Sequence, residues 1–172
     1  MRPLDLGLGI LRVLIGLLFA GHGARKLLGW FGGSGLNGTA GWVEGLGFRP
    51  GRPWALALGL GEFLGGLLLA LGLATPLALL PLLATQGVAI VRVHTPKGLW
   101  IEQGGFEYNL VLIALSGFFR LYGPGRYSLD AALGLAWPQP ATFAIVLIAA
   151  LLIAALALVA SARAMRLSGR AA

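Results

Sequence analysis

The chain has 172 residues, of which 58% are hydrophobic and only 11% are charged, and it contains no cysteine. Soluble domains average about 45–50% apolar and about 25% charged residues, so this composition indicates an integral membrane protein. The 13 Lys and Arg residues outnumber the 6 Asp and Glu residues, but they stand singly at the ends of apolar runs. That placement favours contact with lipid head groups and argues against a nucleic-acid partner. A chain without cysteine also provides no disulfide, thiolate metal site or iron–sulfur ligand.

Five apolar runs are predicted to cross the bilayer, which takes about 20 mostly apolar residues per helix. They are residues 4–28, 53–73, 76–93, 107–122 and 141–160. The second and third runs are nearly continuous, so we expect them to form an antiparallel hairpin. The predicted fold is all-α, an integral membrane helical bundle. Residues 1–135 form a four-helix membrane domain, and residues 136–172 add a fifth, C-terminal transmembrane helix and a basic tail.

Two connecting segments have sequence features that predict local structure. The glycine-rich segment 29–52 contains Trp30 and Trp42 and is predicted to be a lid or a short helix at the membrane interface. The Gly123-Pro124-Gly125 tripeptide is a strong helix breaker. Ser128 after it is a predicted N-cap of a short helix that ends near Leu135, because its hydroxyl can accept from an orphan amide.

The basic residues also predict an orientation. Nine of them fall on the side shared by the first connection, the third connection and the C-terminal tail, namely Arg25, Lys26, Arg49, Arg52, Arg92, Lys97, Arg163, Arg166 and Arg170. The opposite side has three, Arg2, Arg120 and Arg126. The positive-inside rule therefore places the C-terminal tail in the cytoplasm.

Arg12 and Glu62 are ionisable residues inside apolar runs, where each costs about 2.5–3.5 kcal/mol on insertion scales and needs a partner. If His22 and the helix start at Pro53 lie at the same level, both charges are roughly 14–15 Å deep. An Arg12–Glu62 pair is therefore geometrically available. Two interpretations stay open: an ion pair that holds two helices together, or a site in which Arg12 binds an oxygen-rich substrate and Glu62 exchanges protons.

His22, Arg25 and Lys26 share one face at the end of the first helix, because they are spaced i, i+3 and i+4. The second connection brings further polar residues to the same membrane face. The predicted proton-exchanging residues are Glu62, His22 and Glu107, and the predicted substrate-binding residues are Arg12, Arg25, Lys26, His94 and Glu102. The competing interpretation is that these side chains snorkel to the lipid head groups.

Metal binding is a further interpretation of the same residues. His22 and His94 are the minimum for a bis-histidine haem, and with Glu102 and Glu107 they offer ligand types that suit iron, manganese or zinc. No close pair such as His-x-x-His supports either site. We therefore predict no metal and no covalent cofactor.

Several ordered motifs resemble the DoxX family. They are Leu11-Arg12, Gly16, Phe19, His22-Gly23-x-x-Lys26-Leu27, Phe31-Gly32-Gly33, Gly61-Glu62, Gly65, Leu71-Gly72-Leu73, Gly104-Gly105-Phe106-Glu107 and Gly123 to Asp130. The resemblance spans about residues 8–134. It implies that Arg12, His22, Lys26, Glu62, Glu107 and Asp130 are positions characteristic of the family.

The resemblance implies a small four-helix protein of the bacterial or archaeal inner membrane. Family members include a subunit of a thiosulfate:quinone oxidoreductase and proteins linked to quinone and catechol stress. The run after Ala141 is a departure, since it adds a helix to the four family helices. The lack of cysteine means that any sulfur transfer belongs to a partner.

Three functions follow as hypotheses. The first is a membrane component of an oxidoreductase that acts on quinone or quinol-like molecules together with a soluble redox partner. The second is a non-catalytic scaffold that recruits soluble redox enzymes through its basic face. The third is a small-molecule carrier, which the intramembrane charges of Arg12 and Glu62 suggest. With so few helices, we expect such a carrier to form a homo-oligomer.

Overall fold

The computed structural model describes residues 3–138 and 141–168, so Arg2 and Arg170 lie outside the described residues. The described part of the chain is helical and contains no strand. Its α-helices are α1 (Pro3–Leu28), α2 (Gly35–Gly45), α3 (Gly51–Leu71), α4 (Thr75–Ala89), α5 (Glu107–Tyr122), α6 (Leu129–Ala132) and α7 (Ala141–Ser168). A π-helical turn, Ile90–His94, continues α4. The prediction of an all-α membrane bundle is confirmed.

Four helical segments are long and apolar enough to cross a membrane: Leu4–Leu28, Gly51–Leu71, Thr75–Lys97 and Ala141–Leu167. The additional C-terminal helix predicted after residue 140 is among them. Helix α5 has the predicted bounds but only 16 residues, which gives it a length of roughly 24 Å. It packs beside α4 and α7.

Helices α1 and α3 pack with their backbones almost in contact, and glycine makes this approach possible. A Cβ atom added at Gly16 would lie 2.4 Å from the Ala70 nitrogen, and one added at Gly66 would lie 2.4 Å from the Ala20 nitrogen. The same holds at Gly23, whose added Cβ would lie 2.4 Å from the Phe63 nitrogen. The α1–α3 pair is therefore packed backbone to backbone along much of its length.

One end of the bundle, here called the Arg12 end, is closed by the segment before and within α6. Asp130 accepts hydrogen bonds from the Ala74 nitrogen (2.8 Å), the Thr75 nitrogen (3.0 Å) and the Thr75 hydroxyl (2.6 Å). These bonds hold the α3–α4 turn, where Ala74 has a left-handed φ of 47°. The predicted N-cap is confirmed, because the Ser128 hydroxyl accepts from the Ala131 nitrogen at 3.1 Å. Helix α6 ends at Ala132, earlier than predicted, and the chain turns at Gly134, whose φ is +67°.

The opposite end, here called the His22 end, gathers the end of α1, helix α2 and the ends of α4 and α7. Helix α2 confirms the prediction of a short helix in the first connection. Its Glu44 carboxylate accepts from the Gly51 nitrogen at 2.7 Å, which fixes the start of α3. Helix α7 packs mainly against α4, and its Ser161 hydroxyl donates to the Leu46 carbonyl at 2.9 Å. The C-terminal part of α7 thus lies at the His22 end.

Candidate functional site

A cavity of about 540 Å³ lies inside the bundle toward the His22 end. Its walls come from α1, α2, α3, α4, α5 and α7, and most of the lining is apolar, including Phe19, Phe48, Trp54 and Leu112. The rings of Phe48 and Trp54 contact each other with centroids 5.3 Å apart. Ligand cavities of this kind are typically about 300–1,000 Å³, with a few polar groups that fix orientation. The polar groups here are His22, Lys26, Glu62, Thr85, Gln86, Arg92, His94, Tyr108 and Asn109.

An ion pair between Lys26 of α1 and Glu62 of α3 forms part of the cavity wall. The Glu62 side chain is 7% exposed and the Lys26 side chain 21%. The predicted Arg12–Glu62 pair is therefore wrong. Glu62 pairs instead with Lys26, which was predicted to lie with His22 at the end of the first helix.

The error comes from the register of α1 against α3. We expected His22 to lie level with Pro53, whereas Gly23 actually contacts Gly59 and Phe63. Helix α3 starts beyond the end of α1, where Gly51 packs against α2. This shifts α3 along α1 by roughly nine residues, or about 13 Å.

Arg12 lies at the Arg12 end, outside the cavity lining. Its guanidinium donates to three backbone carbonyls: Ala70 (3.3 Å), Tyr127 (2.8 Å) and Pro124. It is 3% exposed. These bonds join α1 and α3 to the segment before α6, so Arg12 has a structural role at this end. A substrate-binding role for Arg12 has no support from the cavity.

A buried amide pair, Gln86 of α4 and Asn109 of α5, lines the cavity. Each residue is 6% exposed, and the Asn109 amide nitrogen donates to the Gln86 side-chain oxygen at 2.7 Å. Within residues 3–138 and 141–168 neither amide makes a further side-chain bond. Gln86 thus keeps two N–H donors and Asn109 keeps its carbonyl oxygen for a ligand. This pair is not evident from the sequence, because neither residue is charged.

The π-helical turn brings three consecutive residues, Arg92, Val93 and His94, to the cavity. Turns of this type are rare and occur frequently at functional sites. The His94 ring contacts the Gly104 carbonyl through Nδ1 at 2.7 Å. When Nδ1 carries the proton for that bond, Nε2 is the acceptor nitrogen. Gly104 has a φ of +77°, so the Gly104-Gly105 pair forms a backbone turn beside His94.

His22 lines the cavity and also a second concavity of about 320 Å³. Lys26 and Trp42 are shared by the two, and Arg25, Gly33 and Thr39 contribute to the second one. His22 makes no hydrogen bond with the part of the chain that the structure describes. Trp42 belongs to α2, which therefore covers the cavity at this point. The second concavity lies between α2 and the end of α1, beside the cavity.

The remaining predicted residues lie around this region without lining the cavity. Arg25 is exposed and donates to the Phe31 carbonyl at 3.0 Å. Glu102 is exposed on the second connection. The Glu107 carboxylate accepts from the Ile101 nitrogen at 3.0 Å and thereby holds that connection. No group of three or more His, Asp and Glu residues that could hold a metal ion is found within the described ranges.

These features define a multi-pass helical membrane protein with an internal cavity whose polar groups gather toward one end of the bundle. The family model DoxX matches residues 7–95, which is just over half of the chain. The chain therefore belongs to the DoxX family, as its motifs indicated. No curated protein matches the chain, and no solved structure does. The family match ends before the Gly104–Glu107 and Gly123–Asp130 motifs, so their assignment to the family pattern stays a prediction.

Proposed function

We propose that this DoxX protein is the membrane component of an oxidoreductase system and that its cavity binds a quinone or quinol-like molecule. The observation that carries the proposal is the buried Gln86–Asn109 pair in an otherwise mostly apolar cavity. A quinone ring has carbonyl oxygens that accept from Gln86, and a quinol has hydroxyls that donate to Asn109. Aromatic walls such as Phe48 and Trp54 suit a flat ring. The volume of about 540 Å³ accommodates such a ring and part of an apolar tail.

Reduction of a quinone to a quinol takes up two electrons and two protons. Glu62 and His22 line the cavity and are the groups proposed to exchange those protons. Glu62 is paired with Lys26. His22 lines both the cavity and the second concavity, so it lies between the two. We assign the electrons to a soluble redox partner that docks at the His22 end. Glu107 acts indirectly in this proposal, since it holds the connection beside His94.

We place the protein in the cell inner membrane with the His22 end and the C-terminal tail in the cytoplasm. The exposed basic residues Arg25, Arg49 and Arg52 support this orientation. Arg163 and Arg166 near the end of α7 lie toward the same end of the bundle.

The binding test uses the full-length protein in lipid nanodiscs and a short-chain benzoquinone as the titrant. We expect saturable binding, and Asn109→Ala weakens it by about tenfold or more because a hydrogen bond to the ligand is lost. Asn37→Ala is the matched control, since Asn37 is an exposed amide on α2. Absence of saturable binding, or equal effects of the two variants, contradicts the proposal.

The catalytic test follows quinone reduction by membranes that contain the native redox partner. Glu62→Gln is expected to remove the contribution of this protein to the reduction rate while the protein still binds quinone. A rate that is unchanged by Glu62→Gln contradicts the assigned proton exchange.

The cavity also favours one alternative, a small-molecule carrier, because ion pairs within membrane helices are typical of transport pathways. Flux of a quinol-like solute into liposomes that contain the protein alone distinguishes the two functions. Flux that depends on a proton gradient and on Glu62 favours the carrier. Binding without such flux favours the oxidoreductase component.

A further inference from the structure

The cavity wall carries one cation without a compensating carboxylate. Lys26 and Glu62 neutralise each other. Arg92 also lines the cavity, yet no carboxylate lies within 4 Å of it among the described residues. Its Nη2 donates to the Leu158 carbonyl at 3.3 Å, and its Nε is buried without a hydrogen-bond partner. The fixed charges of the wall therefore sum to one positive charge.

The position of Arg92 is a product of the π-helical turn at the end of α4. Arg92, Val93 and His94 are consecutive, and all three face the cavity. A guanidinium that only snorkels to lipid head groups keeps its nitrogens at the membrane surface. The Arg92 Nε is instead buried in the cavity wall. Arg92 is half-buried, and a cation that is partly withdrawn from water without a carboxylate partner is stabilised by a bound anion.

We infer that the cavity binds its ligand in an anionic form, with Arg92 pairing with an ionised oxygen of an acidic quinone or phenol. This inference rests on the proposed function and names the ligand class for the same site. A guanidinium is a planar fork of N–H donors that suits an oxyanion flanked by a second oxygen. A hydroxyquinone offers this pattern, because its ionised hydroxyl is a vinylogous carboxylate beside a ring carbonyl.

The apolar part of the cavity explains why the anion should belong to a ring or an amphiphile. Phe19, Leu58 and Leu112 line the cavity together with Trp54. A small hydrated anion gains nothing from these walls, whereas an apolar body buried there gains about 25 cal/mol per Å². The polar amides and Arg92 then fix one edge of the ligand.

The experiment compares two naphthoquinones that differ in charge. At pH 7 2-hydroxy-1,4-naphthoquinone is an anion, and 2-methoxy-1,4-naphthoquinone has the same ring without the charge. Both are titrated into the full-length protein in uncharged detergent, with calorimetry as the readout. We expect the hydroxy compound to bind at least about tenfold more tightly, as for a charge-assisted hydrogen bond.

Arg92→Gln is expected to remove this preference by weakening the hydroxy compound about tenfold while changing the methoxy compound less than about threefold. Arg163→Gln is the matched control, since it removes the same charge from an exposed site at the same end of the bundle. Equal affinities of the two compounds for the unmodified protein overturn the inference, and this comparison needs no variant. An equal loss of both ligands in Arg92→Gln also overturns it.

A third titrant, dodecanoate with dodecanol as its neutral match, separates this inference from the proposed function. Binding of dodecanoate that depends on Arg92, with no binding of either naphthoquinone, supports the anionic site and contradicts the quinone function. Tight binding of the methoxy compound with no preference for the hydroxy compound supports the quinone function and overturns the anionic site. Binding of none of the titrants overturns both.

Discussion

Lys26 of α1 and Glu62 of α3 form an ion pair at the point where α1, α2 and α3 meet. The backbone carbonyl of Lys26 also accepts a hydrogen bond from the Thr39 hydroxyl of α2 at 3.1 Å. The same two charged side chains line the cavity. The ion pair therefore joins α1 to α3 at the cavity wall. The Thr39 hydrogen bond separately ties α2, which covers the cavity, to the end of α1.

The two halves of the ion pair are expected to differ in their effect on stability. Lys26→Met leaves the Glu62 carboxylate buried without a partner, whereas Glu62→Gln leaves a lysine whose long side chain can reach water. Breaking a buried pair costs about 3–5 kcal/mol, and the partial exposure of Lys26 favours the lower part of that range. We expect Lys26→Met to lower the thermal midpoint in detergent more than Glu62→Gln does.

The double variant Lys26→Met/Glu62→Gln serves as the control for this prediction, because it leaves no unpaired charge. We expect it to be more stable than Lys26→Met alone. Strictly additive losses would show that the two side chains do not interact.

Close packing of α1 on α3 should make Gly16 intolerant of even one methyl group. In Gly16→Ala the new Cβ would lie 2.4 Å from the Ala70 backbone nitrogen, so the helices must separate. Overpacking of this kind costs about 1–3 kcal/mol or more. Gly21→Ala is the matched control on the same helix, since nothing lies within 4 Å of its added Cβ. We expect Gly21→Ala to be neutral or stabilising, as alanine is the better helix former by about 1 kcal/mol. Equal thermal midpoints for the two variants would contradict the packing argument.

The four long helices α1, α3, α4 and α7 could be predicted from the sequence because each is a long apolar run. The α3–α4 hairpin could be predicted as well, since so short a turn leaves no other arrangement. The Ser128 cap followed from a local rule about hydroxyls and orphan amides.

The register of α1 against α3 could not be predicted, because it depends on how far α3 extends past α1 beside α2. The start of α3 is fixed by the contacts of Gly51 with Ala40 and Glu44, and these contacts are not evident from the sequence. The residues of the site could likewise be predicted only in part. His22, Lys26, Glu62 and His94 were predicted from their charge or imidazole chemistry, and all four line the cavity. Gln86 and Asn109 were missed because a neutral amide within an apolar run has the same sequence pattern whether it faces lipid, a neighbour or a cavity.

Asp130 should be essential for the stability of the Arg12 end, and its replacement should leave ligand binding unchanged. Asp130→Asn replaces one accepting oxygen with a donor, although the Ala74 nitrogen, the Thr75 nitrogen and the Thr75 hydroxyl all donate to this side chain. Hydrogen bonds to a charged group contribute about 1.5–3 kcal/mol each, so we expect a clear loss in thermal midpoint. Benzoquinone affinity measured below that midpoint should be unchanged. Glu102→Gln, at an exposed carboxylate on the second connection, is expected to leave both stability and affinity unaltered. A loss of affinity in Asp130→Asn would show that the two ends of the bundle are coupled.

Tryptophan fluorescence should report ligand binding from two of the five tryptophans. Trp42 and Trp54 line the cavity, whereas Trp30, Trp100 and Trp137 lie outside its lining. A bound quinone is therefore expected to quench Trp42 and Trp54 with a saturable dependence on its concentration. Trp42→Phe/Trp54→Phe should lose the saturable component while keeping the linear quenching that quinone dissolved in detergent causes. Trp30→Phe/Trp100→Phe removes the same number of indoles from exposed positions and should keep the saturable component. Saturable quenching that persists in Trp42→Phe/Trp54→Phe would place the quinone outside the cavity.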